Sequence, residues 1–143
     1  MPAWTSPEFK LWLGRSVCVN PDGSPMVLCH GTNAKFEFFD NQFIDEHGFF
    51  FTNDLPTAQG FGRRVMRCHL RLENPYRCPY SVWMSDDNAY TARLKSLGFD
   101  GLILGNYNPN DEPEGAVTVY VAFDAAQIRF AKGARLPRLS VAA

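Results

Sequence analysis

Three consecutive aromatic residues, Phe49, Phe50 and Phe51, stand between Gly48 and Thr52. In an extended strand successive side chains point to opposite faces, so three neighbouring rings cannot all bury against one layer. At least one must meet a second layer of the fold or a ligand. The run therefore asks for a strand with something on both sides. A chain of 143 residues can supply it. At that size roughly two-thirds of the unfolded surface is buried, and no metal or disulfide is needed to hold the core. A hydrophobic content of 45% and a charged content of 20% suit a soluble globular protein. Residues 1–143 read as a single domain.

Charge and cysteine usage narrow the partners. Fourteen basic and 15 acidic residues leave a formal net charge of −1, which gives no bulk attraction to nucleic acid or anionic membrane. Arg63, Arg64, Arg67 and Arg71 make a local basic patch, more simply read as the solvated face of a strand. The opening MPAWTSPEFK has neither the basic nor the apolar segment of a signal peptide. No apolar run approaches the ~18 residues of a membrane span. A cytoplasmic setting is the expectation, in the host if the chain is phage-encoded or delivered. Cys18, Cys29, Cys68 and Cys78 form no C-x-x-C pair, so free, mostly buried thiols are expected and no metal site.

Local signals place short elements along the chain. Ser6-Pro7-Glu8 opens a helix to about Leu13, ended by Gly14, with Phe9, Trp12 and Leu13 on its buried side. Ser16 to Val19 is a strand candidate, and Pro21-Asp22-Gly23-Ser24 a turn. Met26 to His30 is an apolar strand ending at His30-Gly31-Thr32. Gly48 to Thr52 is a strand, and Asn53 or Asp54 caps a helix with Pro56 in its first turn and Phe61 near its end. Arg64 to Leu72 alternates as a strand. Asp86 to Asn88 caps a helix through about Leu97, Phe99 to Leu104 is a strand, and a polar loop runs from Gly105 to Gly115. Val117 to Phe123 is a final strand, followed by one turn over Asp124 to Ile128. Six or seven short strands and three short helices, not strictly alternating, indicate an α+β fold with a mostly antiparallel, split sheet.

Of the three histidines, His69 falls on a strand face and His47 in a loop, and both read as structural. His30 differs. It closes an apolar strand and precedes Gly31, which permits close backbone approach, and then a hydroxyl residue, Thr32.

Val27-Leu28-Cys29-His30-Gly31-Thr32 resembles the first signature of the ADP-ribosyltransferase superfamily, a strand followed by His-Gly-Thr/Ser. Gly48-Phe49-Phe50-Phe51-Thr52 resembles the second, Gly-Ile-Tyr-Phe-Ala/Thr, and Phe61 falls where the family has a further aromatic. Val119-Tyr120-Val121-Ala122-Phe123-Asp124 with Gln127-Ile128 resembles the third, Glu-Tyr-x-Val-Tyr/Phe-Asp-x-x-Gln-Ile/Val. The nearest likeness is to the small transferase domain of phage and mobile-element polyvalent proteins, which carry an opening like Phe9 to Gly14 and a run like Phe99-Asp100-Gly101-Leu102-Ile103. The resemblance spans about residues 8–130. It implies an ADP-ribosyltransferase-like split antiparallel β-core with flanking short helices.

The resemblance also implies a donor, NAD, and a role for each matching residue. His30 would bond a ribose hydroxyl on the adenosine side, with Thr32 nearby. Gly31 would offer backbone groups to the nicotinamide carboxamide, and Ala58 would leave it room. Phe50 stands at the motif tyrosine and Phe61 opposite it, two walls for the nicotinamide ring; such packing is worth about 0.5–1.5 kcal/mol beyond area burial. Gly48, Phe49, Thr52 and Val119 would complete the lining. The implied reaction is mono-ADP-ribosyl transfer to a protein or other macromolecular acceptor with release of nicotinamide, and it develops positive charge at the anomeric carbon. Relatives place a glutamate there; here that position is Val119. Three readings stay open. The loop carboxylates Glu112 and Glu114 reach the site, with Asp111 less well placed; or the acceptor brings its own carboxylate; or the fold is a pseudoenzyme that binds NAD, ADP-ribose or a protein without chemistry, as in an anti-defence role. Two rivals rank lower. An RNA phosphotransferase of related fold needs a dedicated phosphate site. A Cys29–His30 hydrolase needs two side chains that a strand sends to opposite faces.

Overall fold

The computed structural model describes residues 5–33, 39–41, 47–108 and 117–131. Helix α1 (Pro7–Leu13) forms where its capping chemistry directs: the Ser6 side chain accepts from Phe9 N at 3.1 Å, and the chain leaves at Gly14 with φ 56°. Phe9 is buried. Trp12 donates Nε1–H to the Ala126 carbonyl at 2.9 Å, and Arg129 bonds Glu8 at 2.7 Å and lies over the Trp12 ring. These contacts fasten the helix beside the last strand.

Strands β1 (Leu28–Thr32), β2 (Phe49–Thr52), β3 (Arg64–Leu70), β4 (Pro75–Pro79), β5 (Gly101–Tyr107), β6 (Val117–Ala122) and β7 (Ile128–Phe130) form one sheet in the order β4-β5-β6-β2-β1-β3-β7. Only the β4–β5 pair is parallel among the described strands. The fold is the mixed α+β arrangement that the sequence indicates. Its split lies between β2 and β1, which register at Cys29 and Thr52 alone, whereas β1–β3 and β5–β6 each register at five positions.

Alternation along β2 settles the three rings. Phe49 and Phe51 enter a core with Leu28, Met66, Cys68, Leu70 and Tyr120. Phe50 packs on a second cluster with Trp83, Leu102, Leu104, Val119 and Val121. Helix α2 (Leu55–Phe61) closes a third, smaller cluster of Cys29, Ala58 and Val65. Helices α3 (Tyr80–Ser85) and α4 (Thr91–Ser96) contribute Trp83 and Leu94 to the second.

Several expectations shift. Ser16 to Val19 forms no ladder beyond the single bridge Val19–Pro25. The buried Ser16 hydroxyl instead donates to Leu70 O at 2.7 Å and accepts from Leu72 N and Cys18 N. A side chain there competes for the backbone groups a strand would use. Strand β1 runs through His30-Gly31-Thr32 and does not stop before it. The helix expected over Asp86 to Leu97 starts only at Thr91, because Asp86 accepts from Asn88 N in a turn that breaks it from α3. Strands β4 and β7 were not anticipated; each depends on a distant partner, β5 and β3 respectively. Cys18, Cys29 and Cys68 are buried and Cys78 partly so, all as free thiols. No helix among the described residues is long and apolar enough to cross a membrane.

Candidate functional site

The seam between β1 and β2 is where His30 sits. Its Nδ1 lies 2.7 Å from the Phe50 carbonyl oxygen. A carbonyl only accepts, so Nδ1 carries the proton, and in the neutral ring Nε2 is the acceptor nitrogen. Burial lowers the His30 pKa below the usual 6.5, with the bond to Phe50 opposing it in part. The ring is therefore neutral at neutral pH. Phe39 meets it edge-on at 5.1 Å and Phe51 at 5.2 Å, so the imidazole is walled by aromatics on the first core's side.

Gly31 faces the other way, under α2. A Cβ built there would lie 1.8 Å from the Ala58 carbonyl oxygen. A second glycine does the same at the far end of the helix: a Cβ on Gly62 would lie 2.2 Å from the Thr32 carbonyl carbon. Thus α2 is pressed onto β1 at two points, and only glycine allows either. The helix start is set by Asp54, whose carboxylate accepts from Thr57 N at 3.1 Å and Thr57 Oγ1 at 2.6 Å. The buried Thr52 hydroxyl accepts from Asp54 N at 3.2 Å, which ties that cap to β2. Ala58 is fully buried beneath the helix. Gly48 has φ 124°, and a Cβ there would lie 2.6 Å from Ala122 O, so it too is required by close packing.

Phe61 ends α2 and is 49% exposed. Its ring stacks on Tyr107 at 6.2 Å between centroids and 23° between planes. Tyr107 meets Tyr80 edge-on at 4.6 Å, Tyr80 meets Trp83 at 5.5 Å, and Trp83 meets both Phe50 (6.3 Å) and His47 (5.1 Å). A ladder of rings therefore links Phe61 to Phe50 along one side of the sheet. Val119 lies on that side too, 2% exposed, opposite Thr52 on β2 and Leu104 on β5.

The structure thus gathers Gly31, the Thr32 backbone, Thr52 and Ala58 where β1 and β2 meet α2, with Phe50, Phe61 and Val119 on that side of the sheet, while the His30 ring turns to the opposite face with Phe39 and Phe51. Phe49 belongs to the opposite core. Glu114, Glu112 and Asp111 lie outside the described residues. Sequence reasoning missed Tyr80, Trp83 and Tyr107. The polar run from Gly105 reads as a loop, but β5 continues to Tyr107, and the His47 ring packs edge-on against Trp83 as a structural side chain. Among the described residues no group of three or more His, Cys, Asp or Glu is placed to hold a metal ion. The Cys29 thiol is pushed up by burial, which disfavours the thiolate a hydrolase would need.

The remaining motif residues hold the scaffold. Asp100 accepts from Glu73 N (2.7 Å) and Asn74 N (3.0 Å), and Gln127 Nε2 donates to the carbonyls of Arg71 and Asp100. Asp124 caps the short 3-10 turn by accepting from Ala126 N.

A seven-stranded sheet split beside a half-buried histidine, with a glycine-clamped helix ending in an aromatic, has the character of an ADP-ribosyltransferase-like fold. The family model described as ADP-ribosyltransferase in polyvalent proteins matches residues 20–136. The chain belongs to that family. No curated protein matches it. Among solved structures it is similar to one described as the crystal structure of an anti-CRISPR protein, with 16% identity, a TM-score of 0.43, and coverage of 73% of this chain and 93% of that one.

Proposed function

We propose that this protein is an NAD-dependent mono-ADP-ribosyltransferase whose macromolecular acceptor supplies the carboxylate that relatives carry at the position of Val119. The observation that carries the reading is the contrast between the two halves of the site. The donor side keeps its parts: a neutral, oriented His30, a glycine-clamped α2, and a half-exposed Phe61. On the charge-stabilising side, the position of the family glutamate is Val119, buried among Leu102, Leu104 and Val121.

Neutral His30 suits the acceptance of a hydrogen bond from a ribose hydroxyl through Nε2. The bond from ribose to the nicotinamide nitrogen breaks with its electron pair leaving on the nitrogen, so the positively charged ring departs as neutral nicotinamide. A carboxylate oxygen of the acceptor, ionised at neutral pH, stabilises the cationic ribose and then forms the new C–O bond; no proton need be removed. Such an acceptor is consumed as it reacts, which favours single transfer over chain growth. A protein side chain is the expected acceptor class.

The test is nicotinamide release from NAD, followed by mass spectrometry, with purified protein alone and then with host-cell lysate. Release that requires lysate, with one ADP-ribose added to a lysate molecule and loss of both in His30→Ala, is the expected result. NAD binding without release in either condition would instead support the pseudoenzyme reading. Binding and activity fully retained in His30→Ala would overturn the site assignment.

A further inference from the structure

We infer that the end of α2 and the first half of β3 form a docking surface for an acidic stretch of the protein acceptor, held by Arg63, Arg64 and Arg67; this rests on the reading above that the acceptor supplies a carboxylate. From residue 63 to residue 72 the chain carries four arginines and no acidic residue. Arg63 and Arg64 are exposed and Arg67 is partly buried. Their guanidinium groups have no hydrogen bond or ion pair among the described residues, whereas Arg129 is paired with Glu8 at 2.7 Å. The Nε of Arg67 is itself buried and without a partner. A charged donor withdrawn from water and left unpaired is costly, and a carboxylate is an acceptor that a guanidinium can bond through two parallel N–H groups.

The backbone beneath these arginines is fixed. Gly62 is pressed on the Thr32 carbonyl, and Arg63 N donates to Asn33 Oδ1 at 2.9 Å. Arg64 stands opposite Thr32 on β1, and Arg67 opposite Cys29. Residues three apart on a strand point to opposite faces, so Arg64 and Arg67 are not parts of one solvated face. They bracket a free stretch of edge instead. Strand β7 is in register with β3 only from Cys68 to Leu70, and its last contact is Ala131 N to Arg67 O at 2.9 Å. Along Arg64, Val65 and Met66 no described strand occupies that edge. Outward backbone groups alternate along an antiparallel strand, which turns those of Val65 toward it. An extended segment laid there pairs with Val65 and meets a guanidinium on either face. Such a slot suits a run of consecutive acidic residues and not an alternating one.

The surface adjoins the donor site. Arg63 follows Phe61 by two residues, and Arg64 lies opposite Thr32, the neighbour of Gly31. An acidic segment held here brings a neighbouring carboxylate toward the end of α2. Asp54, the acid at the other end of that helix, is committed to Thr57 N and Oγ1. The phosphates of a nucleic acid would meet the same guanidinium groups, but they bring no carboxylate to the cationic ribose. The formal net charge of −1 also gives nucleic acid no bulk attraction.

Fluorescence anisotropy of the whole chain with labelled hexaglutamate, hexaglutamine and hexathymidylate tests this, alongside NAD⁺ titration of each sample. The variants are Arg63→Glu/Arg64→Glu, Arg67→Met, and Arg93→Glu/Lys95→Glu, which makes the same charge change at exposed positions of α4. Expected is hexaglutamate binding by wild type that weakens as salt rises from about 50 to about 300 mM, with no binding of hexaglutamine. Arg63→Glu/Arg64→Glu should lose about 10-fold or more in hexaglutamate affinity, and Arg67→Met should weaken it as well. Hexaglutamate affinity in Arg93→Glu/Lys95→Glu, and NAD⁺ affinity throughout, should stay near wild type. An equal loss in both double variants reduces the effect to net charge and overturns the surface. So does hexaglutamate binding that is absent from wild type or unchanged in Arg63→Glu/Arg64→Glu. Hexathymidylate bound more tightly than hexaglutamate reassigns the arginines to nucleic acid and overturns their role in acceptor docking. A wild type that binds hexaglutamate but not NAD⁺ overturns the donor site and leaves the surface standing.

Discussion

Replacing Gly31 by alanine should damage both the fold and the site through one contact. The added methyl carbon would lie 1.8 Å from the Ala58 carbonyl oxygen, whereas ordinary contact begins at 3.4 Å. About 1.6 Å must be found (3.4 − 1.8). The obstacle is helix backbone, so no rotamer change relieves it and α2 must lift from β1. The contacts it would loosen are those of Ala58 with Cys29 and Val65, beside Leu55. A gap of about 0.5–1 Å already forfeits a quarter to a half of a dispersion contact, and overpacking costs about 1–3 kcal/mol. For a chain of this length that is roughly 3–12 °C in Tm. The site suffers as well, because Phe61 rides on the displaced helix; a misplacement of about 1 Å can reduce rate by roughly 100-fold. Thermal unfolding and NAD⁺ titration of Gly31→Ala read the two effects. Gly60→Ala is the control in the same helix, since nothing lies within 4 Å of a Cβ there; it should hold or slightly raise Tm. If Gly31→Ala melts and binds NAD⁺ like wild type, the clamping argument is wrong.

Two further outcomes follow from buried groups. Burial lowers the pKa of both His30 and His69, the latter held by its Nδ1 at 2.9 Å from the Met26 carbonyl oxygen. Below the usual 6.5 the unfolded chain takes up protons that these folded histidines resist, so stability falls as pH drops from 6.5 through the lowered folded values and is flat above that window as far as they are concerned. Tm compared at about pH 5 and about pH 7.5 should fall at the lower value, less so in His69→Gln; a rise would contradict the burial argument. Restoring the family carboxylate by Val119→Glu places an acid where the side chain is 2% exposed. Burial raises such a group's pKa, so the penalty grows as pH rises above about 4.3 and reaches several kcal/mol at neutral pH. Chemical denaturation across pH would show the deficit, and an undiminished stability at neutral pH would mean that Val119 is wetter than its packing indicates.

What the sequence revealed was local chemistry. Ser6 and Asp54 announce α1 and α2 because a cap is a contact between residues three apart. The three aromatics of β2 announce two layers because alternation is a property of one strand. The pairing partners were harder to read. Strand β4 begins and ends in proline, which reads as a break, yet it is the edge strand of the sheet, where a missing N–H is tolerated. Strand β7 has three residues and exists because β3 is beside it. The same holds for the site. His30, Gly31 and Phe61 stand out as candidates from their motifs alone, but the physical reason for a glycine at 31 is the carbonyl of Ala58, 27 positions away (58 − 31). Tyr107 was hidden in a polar stretch, since the bulge that aims it shows only in the pairing of β5 with β6.

The seam beside His30 has a mechanical meaning. Among the described residues four strands lie on one side of it and three on the other, joined by the first core, by a single register and by an imidazole bound to a carbonyl. Sheets open along their least-bonded line, and opening of such a unit takes less free energy than global unfolding. Amide exchange should therefore find its weakest internal boundary between β1 and β2. A dinucleotide that touched His30 or Phe61 on one half and Phe50 across the junction would act as a splint, and part of its binding free energy would go into holding the two halves together.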